Sequence, residues 1–92
     1  MGLDFVELVM AVEEKFGIEM EEPDAERFMT VGGMFDYVLE KLNAQDKIGW
    51  DDDQWTKERL WIELGELIQD QLGVGVEMIQ REKHFVKDLN ID

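Results

Sequence analysis

The sequence predicts a small all-α domain with three main helices and one short helix. Three segments carry apolar residues at steps of three and four, the spacing that one buried face of a helix requires. No segment alternates apolar and polar residues for long enough to indicate a strand. A length of 92 residues suits a single domain, 1–92, with one modest core.

The first helix is predicted from about Leu3 to Phe16. Asp4 lies in its first turn, where a negative charge is favourable, and Gly17 can take the left-handed conformation that ends a helix. The apolar positions that indicate its buried face are Phe5, Leu8, Val9, Val12 and Phe16.

The middle of the chain is predicted to hold a short helical turn, the second main helix and a linker. Pro23, the only proline, predicts a short helical turn around residues 24–28. Thr30 is expected to cap the second main helix. Residues 43–55 form a polar linker. The apolar positions of the second main helix are Val31, Met34, Phe35, Val38, Leu39 and Leu42.

The third main helix is predicted from about Gln54 or Thr56 to Leu72, with Gly73 at its end. Its core positions are Leu60, Trp61, Leu64, Leu67, Ile68 and Leu72. Residues 76–92 are expected to form helical turns at most. They cover the core as a loop through Phe85, Val86, Leu89 and Ile91.

The net charge of −14 is shared by both halves of the chain. It argues against nucleic acid and membrane as partners and favours basic protein surfaces. The chain has no cysteine and therefore no thiolate metal site. No signal-like stretch opens it and no apolar run could span a bilayer, so a cytoplasmic protein is expected.

Four segments of this chain carry a resemblance to a known family: 3–16, 30–38, 67–74 and 84–92. The first two resemble the recognition helix and the start of the last helix of acyl carrier proteins. The other two resemble the end of that family's first helix and the approach to its modified serine. This order is a rotation of the family's order. The resemblance therefore implies an acyl-carrier-protein-like four-helix bundle that is circularly permuted.

In this arrangement, residues 1–42 match the family from its recognition helix to its last helix, and 56–92 match its first helix and the following loop. The linker 43–55 joins the family's original ends. A linker of about ten residues can reach up to roughly 30 Å, enough for this connection.

The relocated chain ends would lie beside the family's modification site. There a serine takes the family cofactor, 4′-phosphopantetheine. Asp92 matches the residue before that serine, Leu3 and Asp4 match those after it, and Gly2 takes its place; the chain contains no serine. We therefore expect no cofactor on this chain and no enzymatic activity.

The first helix also carries a second apolar stripe, Leu3, Val6 and Met10. The carboxylates that flank this stripe are Asp4, Glu7, Glu13 and Glu14. These residues predict a docking site for a basic protein surface. The resemblance implies the same helix, since partners of acyl carrier proteins grip it. In the alternative, Val6 and Met10 belong to the core and the carboxylates are a solvated face.

The linker and the tail hold further candidates. Asp51, Asp52 and Asp53 could bind a divalent cation weakly, but a role in capping and charging the helix that follows is favoured. No dedicated metal site is predicted. His84 is expected to pack in its loop.

Three tryptophans are many for a domain of 92 residues. Trp61 is predicted in the core. Trp50 and Trp55 either pin the linker onto the bundle or cover the pole where the helices meet.

Three functional hypotheses remain open. The first is an unmodified, carrier-like interaction module of fatty-acid or polyketide-type metabolism. The second is an engineered or natural permuted form of a genuine acyl carrier protein. The third is an acidic decoy that occupies a basic groove. The chain is expected to be a monomer or a domain-swapped dimer.

Overall fold

The computed structural model describes residues 3–89. They form helices α1 (Leu3–Phe16), α2 (Val31–Ala44) and α3 (Lys57–Leu72), with short 3₁₀ helices at Glu22–Phe28 and Val76–Met78. Extended pairing in this range is limited to two isolated bridges. The all-α class is therefore confirmed. Within the same range no helix is both long and apolar enough to cross a membrane.

The ends of the helices follow local sequence signals. The Thr30 hydroxyl accepts a hydrogen bond from the Gly33 N–H at 3.0 Å, and the Thr56 hydroxyl accepts one from the Arg59 N–H at 3.2 Å. Each caps a helix start, as the sequence indicates for this residue type. The glycines that end α1 and α3 in the left-handed conformation, with φ of +66° and +67°, are Gly17 and Gly73.

The linker differs from the prediction in two respects. Helix α2 continues through Ala44, two residues into the predicted linker. In addition, Thr56 caps α3, which begins at Lys57. The favoured capping role of the Asp51–Asp53 run is therefore wrong, because these side chains are exposed in a turn that precedes the cap.

The core forms where α1 packs against α3, while α2 packs against α3 and the first 3₁₀ helix. An ion pair at the rim ties α1 to α3, since Lys15 Nζ lies 3.2 Å from Glu63 Oε1. The hydrogen bond from Arg59 to Glu63, helped by Lys15, lowers the pKa of the Glu63 carboxyl. The largest fully buried side chains include Phe5, Leu8, Phe28, Tyr37, Leu60, Ile68 and Phe85.

Two tryptophans anchor parts of the chain and the third does not. Trp55 pins the linker, because its ring packs edge-on against Phe16 with centroids 4.9 Å apart. Trp61 is half-buried at the edge of the core and packs against Phe35 at 5.3 Å. Trp50 is 89% exposed, so it neither pins the linker nor covers a pole of the bundle.

The tail runs along the start of α2 and is bound there through the backbone. The N–H groups of Val31 and Gly32 donate to the carbonyls of Lys83 and Arg81 at 2.9 and 3.0 Å. The first N–H groups of a helix have no partner within the helix, so the tail supplies acceptors that α2 needs. This pairing requires close approach of the tail backbone to Gly32.

We expect Gly32→Ala to lower the free energy of unfolding. A Cβ at this position would lie 2.8 Å from the Arg81 Cβ and 2.9 Å from the Arg81 carbonyl oxygen. The resulting shift should cost about 1–3 kcal/mol, more than the ~1 kcal/mol that alanine gains over glycine in a helix. Urea unfolding measures the difference. Asn43→Ala, at an exposed site of the same helix, is the control; a Gly32→Ala protein as stable as the parent would contradict the close approach.

Candidate functional site

Three buried aromatic rings meet at the first turn of α1. The Phe5 ring packs edge-on against Phe85, with centroids 5.6 Å apart, and stacks on Phe28 at 6.1 Å. Phe85 belongs to the tail and Phe28 to the first 3₁₀ helix. The tail therefore reaches the start of α1, although the two segments lie at opposite ends of the sequence.

The predicted modification position, Gly2, lies outside the described residues, as do Asp92 and the side chain of Leu3. Of the nearest described neighbours, Asp4 is exposed and Leu89 is buried in the core. The predicted meeting of Asp92 with Gly2 and Leu3 stays a prediction.

A side-chain cap shapes the tail where it delivers Phe85 to the core. His84 Nδ1 accepts hydrogen bonds from the N–H groups of Val86 and Lys87, both at 3.1 Å. The Asp88 carboxylate accepts one from the His84 N–H at 2.8 Å. From the sequence, His84 is expected only to pack in its loop. The sequence does carry a signal for this cap. Asp88 follows His84 by four residues, a spacing at which a side chain can accept a hydrogen bond from a nearby backbone N–H.

The outer face of α1 exposes two residues of the second apolar stripe. Val6 is 39% exposed and Met10 is 61% exposed. The alternative that placed both side chains in the core is therefore wrong. The predicted docking carboxylates that are exposed on the same helix are Asp4, Glu7 and Glu14.

Glu13 differs from the other three carboxylates. It is half-buried, and its Oε2 accepts a hydrogen bond from the Met20 N–H at 2.8 Å. This bond fixes the loop after α1 to the helix. Glu13 therefore supports the local structure, and only part of its carboxylate remains for an external partner.

A groove of about 270 Å³ lies beside the exposed stripe. Its apolar lining combines α1 with the loop and the first 3₁₀ helix: Val6, Val9, Met10, Met20 and Phe28. The face of α1 is therefore concave next to Met10. This shape gives an apolar side chain of a partner a place to be buried.

The far wall of the groove is held by Tyr37 of α2. Its hydroxyl donates to Asp24 Oδ2 at 2.9 Å and accepts from the Glu21 N–H at 3.3 Å. Burial raises the pKa of the Tyr37 phenol above its ordinary value, and the bond to Asp24 adds to this. The phenol is thus neutral at physiological pH and keeps the first 3₁₀ helix against α2.

The described residues 3–89 bring together no group of three or more His, Asp or Glu side chains that could hold a metal ion. Asp51, Asp52 and Asp53 are exposed in their turn. Weak binding of a divalent cation there stays a prediction.

Comparison with known proteins finds similarity over part of the chain. Over 42 residues the sequence is 49% identical to the acyl carrier protein of Chlamydia trachomatis serovar D, a match that covers 46% of this chain and 54% of that protein. The acyl carrier protein of Chlamydia muridarum matches to the same extent. The chain thus spans about half the length of the curated relatives it matches. These matches support a relation to the acyl carrier protein family. No family model matches, and no solved structure matches significantly.

We expect His84→Ala to destabilise the protein by about 1–2 kcal/mol, because two backbone donors of the tail lose their acceptor. His84→Asn is the matched control, since an asparagine side chain can accept from the backbone two residues on. Unfolding in urea measures both variants. An alanine protein as stable as the parent would show that the cap contributes nothing.

Proposed function

We propose that this chain is an acyl-carrier-protein-like interaction module whose helices follow a circularly permuted order. The observation that carries the proposal is the contact of Phe85 with Phe5 at 5.6 Å. In the proposed order these residues belong to the approach to the modification site and to the recognition helix, which are consecutive in the family. Their contact is what a rotated chain needs in order to rebuild the same junction without a covalent link.

The length of the similarity supports the same proposal. The alignment to the curated relatives stops after 42 residues, although both chains are longer. An alignment that preserves residue order can follow only one of the two segments of a rotated chain. A match of about half of each protein is therefore the expected result.

The proposed partners are basic surfaces of enzymes that act on acyl carriers in fatty-acid or polyketide-type metabolism. Exposed Met10 and Val6, with the groove beside them, supply apolar area, and Asp4, Glu7 and Glu14 supply charge. Carboxylates at the rim accelerate and orient the encounter, while the apolar residues provide most of the affinity.

We further propose that the chain does not carry 4′-phosphopantetheine, because glycine at position 2 has no hydroxyl to esterify. Two other functions have specific support. The 49% identity favours a permuted but genuine carrier. The net charge of −14, present in both halves, favours a decoy for a basic groove. Two experiments separate these functions.

The first experiment is mass spectrometry after incubation with a phosphopantetheinyl transferase and coenzyme A. We expect no mass change for the unaltered chain and a gain of one phosphopantetheine for Gly2→Ser. A gain by the unaltered chain would support the genuine carrier. A Gly2→Ser protein that stays unmodified would remove the support for the proposed alignment at Gly2.

The second experiment measures binding to the same transferase by calorimetry. We expect Met10→Glu to weaken binding at least tenfold, because it places a charge in the apolar centre of the docking face. Ile62→Glu on α3 is the matched control, since Ile62 is 58% exposed and Met10 61%. The control should bind like the parent. If both variants bind like the parent, bulk charge is sufficient and the decoy is favoured.

A further inference from the structure

The linker between α2 and α3 is folded into a loop with its own hydrogen bonds. The Trp55 N–H donates to the Lys47 carbonyl at 2.7 Å, and the Gly49 N–H donates to the Trp55 carbonyl at 2.9 Å. The Gln54 side chain bridges the loop, donating to the Asp46 carbonyl at 3.1 Å. The ring of Trp55 fastens the whole segment to the end of α1. The loop is thus a defined platform.

This platform presents Trp50 to solvent with 89% of its surface exposed. Next to it lies a groove of about 210 Å³ whose lining includes Ile48, Trp55 and Thr56. Trp50 contributes little to the core at this exposure. Tryptophans on ordered surfaces are strongly enriched among the residues that dominate binding energy.

The other indole of this loop, that of Trp55, contacts a cation within the protein. The Arg59 guanidinium lies over the Trp55 ring, 4.6 Å from its centroid. This is a cation–π contact, in which the negative face of the ring attracts the cation. Among the described residues, no cation stacks in this way on Trp50.

The charge around Trp50 favours a cation as well. Residues 46–58 contain five carboxylates and two lysines. All five carboxylates are exposed: Asp46, Asp51, Asp52, Asp53 and Glu58. A positively charged group that approaches the indole is therefore attracted by the excess of carboxylates in this segment, although Lys57 also lines the groove.

We propose that Trp50 and its groove form a second docking site, which receives an arginine of a basic partner segment. The arginine stacks on the Trp50 indole while the neighbouring carboxylates attract the rest of the segment. The site lies at the Phe16 end of α1, about 9 Å along the helix from Met10. Its groove is lined only by residues 48–50 and 55–58, none of which belongs to α1. It is therefore distinct from the α1 docking face and does not depend on the function proposed above.

The test compares two octapeptides that differ only in their cation, one of alternating arginine and glycine and one of alternating lysine and glycine. Binding is followed by NMR through the indole N–H resonances, with the Trp50 signal assigned from Trp50→Phe. We expect the Trp50 resonance to move most, the Trp55 resonance to move less because its ring lines the same groove, and the Trp61 resonance to stay. The arginine peptide should bind roughly two- to fivefold tighter than the lysine peptide.

The variant Trp50→Ala should abolish this preference for arginine while it keeps the net charge. Ile62→Ala, which removes another exposed apolar side chain, should retain the preference. An unmoved Trp61 resonance verifies that each variant is folded. Equal affinity for both peptides in the parent, or a preference that persists in Trp50→Ala, would overturn the proposal. A Trp50 shift that depends on protein concentration without peptide would assign the surface to a second copy and also overturn it.

Discussion

The contact between Phe5 and Phe85 is the constraint on which the rest of this structure depends. It joins the first turn of α1 to the tail and, through Phe28, to the first 3₁₀ helix. At its other end α1 is held by Phe16 against Trp55 of the linker loop. Aromatic contacts from distant parts of the sequence therefore fix both ends of one helix, and the face between them is free for partners.

The helices and the cap of α2 could be predicted from the sequence because the forces that set them are local. Apolar spacing identified the buried faces, and Thr30 caps α2 as its residue type and position indicate. For α3 the sequence favours the aspartate run, whereas Thr56 is the cap. The pairing of the tail with the start of α2 could not be predicted. It depends on the approach of Arg81 to Gly32, and a glycine near a helix start does not show which distant segment approaches it.

The candidate site could also be predicted only in part. The double apolar stripe of α1 indicated that one set of residues lies outside the core, and Met10 does. The bond from the Met20 N–H to Glu13 and the exposure of Trp50 were not predictable. Composition can show that a carboxylate or an indole is present, whereas its partner depends on how loops return to the bundle.

The backbone link between the tail and α2 has a consequence for local opening. If the tail detaches, Phe85 leaves the core, and the N–H groups of Val31 and Gly32 lose their acceptors in the same event. We therefore expect the tail and the first turn of α2 to open together as one cooperative unit. The population of that partially open state would determine how often the side chains packed around Phe5 become exposed to solvent.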